Sequence, residues 1–239
     1  MGLTGIEIYK FLPKTNCKKC GFPTCLAFAM KLAQGQAELS KCPDVSEEAK
    51  QALEAASRPP MRLVTIGSGE RKIETGGETV LFRHDKTFFH PAALVVRVKD
   101  TQSPDEIAGI AAAVAGYSVE RVGMTFGLDG VAVENASGDA GKFVAAVEAV
   151  RSKTDLPLIL MSSDPGAMGA ALEKVGGDRP AIYAATQENV DGMVELAKKY
   201  GCPLVVKADG LDDLAALSEK VEGAGVEYII LDPGVRELG

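Results

Sequence analysis

The amino-acid sequence predicts an α/β protein in two parts: a small helical, loop-rich module over residues 1–58, then a (β/α) TIM-barrel-like region over residues 59–239, incomplete at its C-terminal end. Three observations carry this expectation. From Ala93 onward, short β-branched or apolar runs alternate with helical stretches, the pattern of a buried parallel sheet. Four of the five cysteines crowd between positions 17 and 42, ahead of that alternation. Hydrophobic residues make up 46% of the chain and charged ones 25%, with 5% aromatic and no Trp, which fits an Ala/Val/Gly-rich globular protein and not a disordered one. At 239 residues the chain exceeds the ~100–200 typical of one domain, so a large domain with a small appendage is expected.

In chain order, Thr4-x-x-Glu7 reads as a capping box that opens a short helix, which Pro13 closes. The cysteine loop follows, and from Thr24 a second helix runs through Leu26, Phe28, Ala29, Met30, Leu32 and Ala33 toward Gly35. Ser46 to Ala56 reads as a third helix, and Arg58-Pro59-Pro60 as a linker. Arg62–Gly67 and Thr79–Arg83 are β-like runs around a Gly-rich turn, with a further short strand near Lys72, suggesting a small antiparallel hairpin. Gly67-Ser68-Gly69 invites a phosphate-loop reading, but no helix follows it, so a turn is expected.

Six strand-like runs come next: Ala93–Val98, Val131–Glu134, Leu158–Met161, Ala181–Ala184, Leu204–Lys207 and Tyr228–Leu231. Helix starts separate them at Ser103-Pro104-Asp105, Ser137-Gly138-Asp139, Asp164-Pro165, Thr186-Gln187-Glu188 and Leu211-Asp212-Asp213. Such a repeat gives either a (β/α) barrel or an open doubly wound sheet. The barrel is favoured because no Gly-rich dinucleotide fingerprint follows the first strand. A closed barrel needs eight strands, so the expectation is a fragment of a longer polypeptide, or a barrel completed by another segment.

The formal net charge of -7, without a basic stripe, argues against a nucleic-acid partner. The charge is uneven: residues 1–60 hold eight Lys/Arg against six Asp/Glu, and the remainder 18 against 27. Lys14, Lys18, Lys19 and Lys41 neighbour the cysteines, where an anionic metal-thiolate centre would favour them, although a solvated surface explains lysines as well. No stretch approaches the ~18 apolar residues of a membrane span, and no signal-peptide pattern opens the chain. Met1-Gly2 lacks the Ser or Thr that myristoylation wants, since position 6 is Ile6. A cytoplasmic, reducing location is expected, where clustered cysteines mean metal or redox chemistry more often than disulfides.

The cysteine spacing is Cys17-x2-Cys20-x4-Cys25-x16-Cys42, with Pro43 directly after. Three thiolates on a tight loop, with a fourth returning later as Cys-Pro, can wrap a 4Fe-4S cubane and pass single electrons. Gly21 and Pro23 shape the loop so that backbone N–H groups can point at cluster sulfurs. Zinc is the rival, since four thiolates also make a closed tetrahedral site. Zinc sites usually present two short knuckles, whereas this chain has a single C-x2-C, and both histidines, His84 and His90, lie in the next region. Cys202, alone before Pro203, reads as a small core residue.

Asn16-Cys17-Lys18-Lys19-Cys20-Gly21-Phe22-Pro23-Thr24-Cys25 and Lys41-Cys42-Pro43 resemble the large (gamma) subunit of the corrinoid iron-sulfur proteins of the acetyl-CoA (Wood-Ljungdahl) pathway. So do Pro157–Ser162, Tyr183–Thr186 and Leu231–Gly234, and the likeness covers the whole chain. The resemblance implies a 4Fe-4S domain, a barrel and a C-terminal cobamide domain, the last absent from these residues. It implies pairing with a smaller barrel subunit as a heterodimer, methyl transfer from a methyltetrahydropterin through a methyltransferase to acetyl-CoA synthase, and a low-potential electron donor. The cluster would return cobalt(II) to cobalt(I), with Cys17, Cys20, Cys25 and Cys42 matching its ligands one for one. The resemblance makes the chain a methyl-carrier component, with no catalytic residue assigned and no corrinoid ligand named.

The alternative is an enzyme whose barrel binds a pterin where Asp100, Glu134, Asn135, Asp164, Lys207, Asp209 and Asp232 fall, at the strand C-terminal ends. Polar residues there also cap helices, as Asp164 before Pro165 is expected to do. A zinc-stapled interaction scaffold is the third possibility.

Overall fold

A computed structural model of the chain describes residues 4–33, 36–46, 49–50, 53, 61–78, 80 and 84–234. The chain divides into two compact units, residues 1–62 with 76–89 and residues 63–75 with 90–239. The segment 76–89, expected in the second part, groups with the first. Gly76 and Gly77 turn the chain with positive φ of 80° and 66°, and Gly77 N–H donates to the Met61 carbonyl at 2.9 Å. Buried Glu78 then accepts from the Phe89 N–H at 2.7 Å. The Arg58-Pro59-Pro60 linker lies outside the described residues, as does the Thr79–Arg83 run apart from Val80, which sits in a bend.

In the first unit, α1 (Gly5–Phe11) opens on the expected capping box, with Thr4 and Glu7 exchanging hydrogen bonds. Leu12 is already extended (φ -81°, ψ 152°), as the residue before a proline must be. Helix α2 (Cys25–Ala33) starts where the Thr24 hydroxyl accepts from Ala27 N–H at 3.1 Å. Gly5 lets the two helices approach closely, because a Cβ there would strike the Met30 sulfur. Of the expected third helix, Ala49, Lys50 and Leu53 are helical, and the rest of Ser46–Ala56 is largely outside the described residues. Ile8, Leu12, Phe28, Ala29, Val45, Ala49 and Leu53 form a small core together with Cys25 and Cys42.

The second unit opens on β1 (Val64–Ile66) and β2 (Ile73–Thr75), an antiparallel pair. The partner of β1 is therefore the short strand near Lys72. Gly67-Ser68-Gly69 forms the turn between them, with Gly67 at φ 94° and no helix following. Then come β3 (Val95–Lys99), α3 (Pro104–Gly116), β4 (Ser118–Arg121), β5 (Met124–Gly127), β6 (Gly130–Glu134), α4 (Ala140–Arg151), β7 (Leu158–Met161) and α5 (Pro165–Val175). They are followed by β8 (Ala181–Ala185), α6 (Val190–Tyr200), β9 (Leu204–Lys207), α7 (Leu211–Gly223) and β10 (Ile229–Asp232). All six expected strands are present.

The six pair in parallel in the order β3-β6-β7-β8-β9-β10. Chain order and sheet order agree throughout, so there is no reversal point of the doubly wound kind. The winding is that of a barrel opened along one seam, with β3 and β10 at its edges. Alternation sorts the strand side chains. Val98, Val131, Val133, Leu158, Leu160, Ile182, Leu204 and Val206 face α3 to α7 in the main core. On the other face Val95, Ile159, Ala181 and Ile230 meet Ile66 and Ile73, so the β1–β2 hairpin plugs the end where the strands begin.

Two elements differ from expectation. Helix α6 begins at Val190, not near Thr186, because Asn189 Oδ1 accepts from the Thr186 N–H (2.7 Å) and holds residues 186–189 in a turn. The antiparallel pair β4–β5 carries no sequence signature: every residue in it is exposed, and its turn is Val122-Gly123 instead of Asn-Gly. Both turn residues have positive φ (50° and 74°), a conformation the sequence advertises only at Gly123.

The cap of α3 supports a stability prediction. Ser103 Oγ accepts from Glu106 N–H while the Glu106 carboxylate accepts from Ser103 N–H, with Pro104 at the first position. Ser103→Ala is expected to destabilise the second unit by about 0.5–2 kcal/mol, read as a lower thermal midpoint. Backbone and side-chain hydrogen bonds from Ser103 hold the Glu106 carboxyl below its ordinary range. The carboxylate's contribution to this cap is therefore complete above the ordinary Glu range and fades as pH falls through the lowered value.

Candidate metal centre

The loop between α1 and α2 is built on unusual backbone. Lys14, Asn16, Lys18 and Gly21 have φ of 59°, 49°, 62° and 84°, so three non-glycine residues adopt the left-handed region within five positions. Each such residue costs about 1–3 kcal/mol, and clusters of them persist where surrounding contacts over-determine the chain. Mixed left- and right-handed backbone turns successive N–H groups toward one concavity, a form that suits an anion. Two bonds fix the loop: Gly21 N–H to the Lys18 carbonyl (2.9 Å), and Cys25 N–H to Asn16 Oδ1 (2.8 Å). The second ties the loop to the first turn of α2, where Cys25 itself sits.

Cys42 arrives from the other side, after a single 3-10 turn (Leu39–Lys41), its N–H donating to the Leu39 carbonyl at 3.0 Å. Lys19 Nζ reaches Asp44 Oδ1 at 3.1 Å, tying the loop of Cys17 and Cys20 to the Cys42 segment. Hydrogen bonds from Lys19, and then from Cys17, hold the Asp44 carboxyl below its usual value. Burial pushes the Cys42 thiol up, opposed by a hydrogen bond from Asp44 N–H and reinforced by Cys20, Cys17 and Cys25. All four thiols thus share one electrostatic neighbourhood.

The surroundings of the four differ. Cys25 and Cys42 are buried, whereas Cys17 and Cys20 are half-buried. Phe22 and Phe28, ring centroids 5.3 Å apart, pack in the same core as Cys20, Cys25 and Cys42. Among the described residues no group of three Cys, His, Asp or Glu is gathered as one metal ion would need. A cubane makes no such demand, because it spreads its four thiolates over four iron corners. The donor set fits that group: four sulfurs, of which Cys25 on a helix N-terminus, Cys42 and Cys20 lie in or against an apolar core, and Cys17 is half-buried on the loop.

Cys202 is only 2% exposed, at the start of β9, and burial raises its thiol pKa to about 11. It is a core residue, as expected. The folded protein should therefore resist alkylation at Cys202 near pH 8, and the unfolded protein should not; mass spectrometry of iodoacetamide-treated samples reads the difference.

At the carboxyl ends of the strands, most of the polar candidates serve the fold. Asp100 accepts from Ala136 N–H, Ser137 N–H and the Ser137 hydroxyl (2.9, 2.9 and 2.6 Å). Asp164 caps α5 through Gly166 and Ala167. Asp232 accepts from the Tyr183 hydroxyl (2.7 Å) and Gly234 N–H, Asn135 donates to Ser162, and Glu134 lies 3.5 Å from Arg97. Lys207 and Asp209 line an open cleft of about 380 Å³ with Thr186, Gln187, Glu188 and Asp213.

Comparison with known proteins finds two matching regions. A family model described as CO dehydrogenase/acetyl-CoA synthase delta subunit matches residues 63–239, and a model for an Fe-S cluster matches residues 12–43. The chain is 46% identical over 237 residues to the corrinoid/iron-sulfur protein large subunit of Moorella thermoacetica, an alignment covering 99% of this chain and 53% of that protein. It is 40% identical to the acetyl-CoA decarbonylase/synthase complex subunit gamma of Methanothermobacter thermautotrophicus (98% of this chain, 51% of that one). Against the same subunit of Methanocaldococcus jannaschii the identity is 35% (97% and 48%). The chain spans about half the length of the curated relatives it matches.

Proposed function

Because this chain belongs to the CO dehydrogenase/acetyl-CoA synthase delta subunit family, we propose that it is the electron-transfer part of a corrinoid methyl carrier, holding one 4Fe-4S cluster on Cys17, Cys20, Cys25 and Cys42. What supports the reading is that Cys20, Cys25 and Cys42 share one small apolar core, with Cys17 on the loop beside them, and that Cys17, Cys20, Cys25 and Cys42 lie within the segment that the Fe-S family model matches. On this reading residues 1–58 are the cluster domain and the barrel lies within residues 59–239, of which 76–89 group with the first unit.

When bound, the cluster supplies a one-electron couple that returns corrinoid cobalt(II) to cobalt(I). The chain's own residues do the rest. Cys25 and Cys42 anchor the group where Phe22 and Phe28 exclude water, which limits hydrolysis and lowers the local dielectric. Asn16 holds the first loop onto α2, and the Lys19–Asp44 pair holds it to the second. Cys17 and Cys20 leave one side open to solvent.

The names of the relatives support a wider setting. The large subunit of Moorella is named a corrinoid/iron-sulfur protein, and its archaeal counterparts are subunits of an acetyl-CoA decarbonylase/synthase complex. On the proposed reading this chain works in carbon fixation in the cytoplasm, as part of a heterodimer with a smaller barrel subunit. The pair would exchange a methyl group with a pterin-dependent methyltransferase and acetyl-CoA synthase and take electrons from a low-potential donor. Cobamide is the proposed partner cofactor of the cluster, and no residue of this chain is assigned as its ligand. No helix among the described residues is long and apolar enough to cross a membrane.

Electron paramagnetic resonance of anaerobically purified, dithionite-reduced protein tests the proposal. A spin-half signal and about four irons per chain are expected. One zinc per chain, with no iron, would establish a structural zinc site instead.

A further inference from the structure

We propose that two adjoining clefts at the amino ends of the sheet strands bind an adenine nucleotide, its phosphate over the Gly67-Ser68-Gly69 turn and its base against Tyr117 and Phe126. Every lining residue belongs to the second unit, and the inference is independent of the cluster.

Shape is the first argument. A cleft of about 700 Å³ lies between the β1–β2 turn, the loop from α4 to β7, and Asp178. A second, of about 470 Å³, lies between the same turn, the end of α3 and the β4–β5 pair. Arg71, Ala115 and Leu156 line both, so one runs into the other, and each has the size of a small-molecule site. Arg71 Nη1 donates to the Ala115 carbonyl at 3.4 Å, which holds the guanidinium at the junction.

The turn supplies the polar end. Gly67 has φ 94°, and among the described residues the N–H groups of Ser68, Gly69, Glu70 and Arg71 reach no protein acceptor. Successive unbonded amides beside a guanidinium suit a phosphate. No helix follows the turn, so these donors hold the anion without a helix dipole.

The charges in the clefts select what accompanies the phosphate. Lys72 pairs with Glu74 (2.8 Å), Arg151 pairs with Asp178 (3.0 Å), and Asp129 accepts from the Leu94 N–H (2.7 Å). Among the described residues Arg71 and Lys153 have no carboxylate in ion-pairing range, and Glu70 and Asp155 have no cation there. A bare anion gains little where two cations face two carboxylates. A nucleotide also brings ribose hydroxyls and an exocyclic amine, which donate to carboxylates.

The aromatic end is the last argument. Tyr117 and Phe126 both line the second cleft and remain 52% and 49% exposed. Two half-exposed rings in one cleft offer a stacking platform for a flat base. Phe126 lies on β5, in the antiparallel pair that buries none of its own residues.

Isothermal titration calorimetry of the full chain with AMP tests the site. A single site with a dissociation constant below about 0.1 mM is expected, and adenosine alone or inorganic phosphate alone should bind at least about tenfold more weakly. Phe126→Ala and Arg71→Gln should each weaken AMP at least about tenfold, with the thermal midpoint unchanged because both side chains are exposed. Lys207→Gln, at the carboxyl ends of the strands, should leave AMP binding as it is. No heat with millimolar AMP overturns the site, as does binding that neither Phe126→Ala nor Arg71→Gln alters. Phosphate binding as tightly as AMP overturns the nucleotide and leaves an adventitious anion contact. Should Phe126→Ala lower the midpoint, Arg71→Gln decides. Iron-free protein should bind AMP as the loaded chain does, so failure of the cluster reading and failure of this one are told apart.

Discussion

Cys42→Ser is expected to abolish the cluster: iron should fall from about four per chain toward zero, with loss of the brown absorption and of the reduced-state resonance. The magnitude follows from the position. Cys42 is buried, comes alone from the second segment, and closes the site opposite the loop of Cys17, Cys20 and Cys25. A serine hydroxyl is a hard, poorly ionised donor where a soft thiolate is required. The loop of Cys17 and Cys20 would also lose the centre that compensates its three strained non-glycine residues. The same substitution at Cys202 should leave iron content unchanged, which separates loss of a ligand from loss of a cysteine. Full iron content in the Cys42→Ser protein would remove that residue from the ligand set.

Phe28→Ala should have an effect nearly as large without touching a ligand. Phe28 is 1% exposed, meets the Phe22 ring in a tilted contact with centroids 5.3 Å apart, and shares its core with Cys20, Cys25 and Cys42. Removing a buried Phe typically destabilises by about 3–5 kcal/mol. The first unit has only a small core, so this is a large part of what such a scaffold can muster without a metal staple. In urea titrations, loss of cluster absorbance should move to markedly lower denaturant, while the circular dichroism transition of the helices and sheet of residues 90–239 stays in place. A single shared transition, shifted as a whole, would mean that the two units do not unfold separately.

The elements legible in the sequence were those whose local chemistry and burial agree. Thr4-x-x-Glu7 and Ser103-Pro104-x-Glu106 name helix starts because the capping bonds are made within four residues. The six parallel strands are legible because burial on both faces demands continuous apolar runs such as Leu158–Met161. The β4–β5 pair escaped notice because it buries nothing, and Val122 adopts a conformation its side chain does not advertise. The same holds for Lys14, Asn16 and Lys18, whose left-handed backbone is imposed by the loop they build. At the candidate site the four cysteines were readable from spacing. The Asn16–Cys25 bond and the Lys19–Asp44 tie join residues 9 and 25 positions apart, and no local pattern announces them. Polar residues at the strand ends divide: position made Asp100 look chemical and its hydrogen bonds make it architectural, whereas Asp164 is the helix cap that Pro165 announces.

The agreement between strand order and chain order bears on how the protein is made. Each strand of the six finds its partner in the one synthesised just before it, so the sheet can grow during translation without waiting for distant chain to emerge. The β1–β2 plug, made first, offers Ile66 and Ile73 as a seat for Val95 as soon as β3 leaves the ribosome. The growing edge is always the newest strand, and the interval in which it stands unpaired is set by the time needed to add one helix and one strand, lengthened after β3 by the β4–β5 pair.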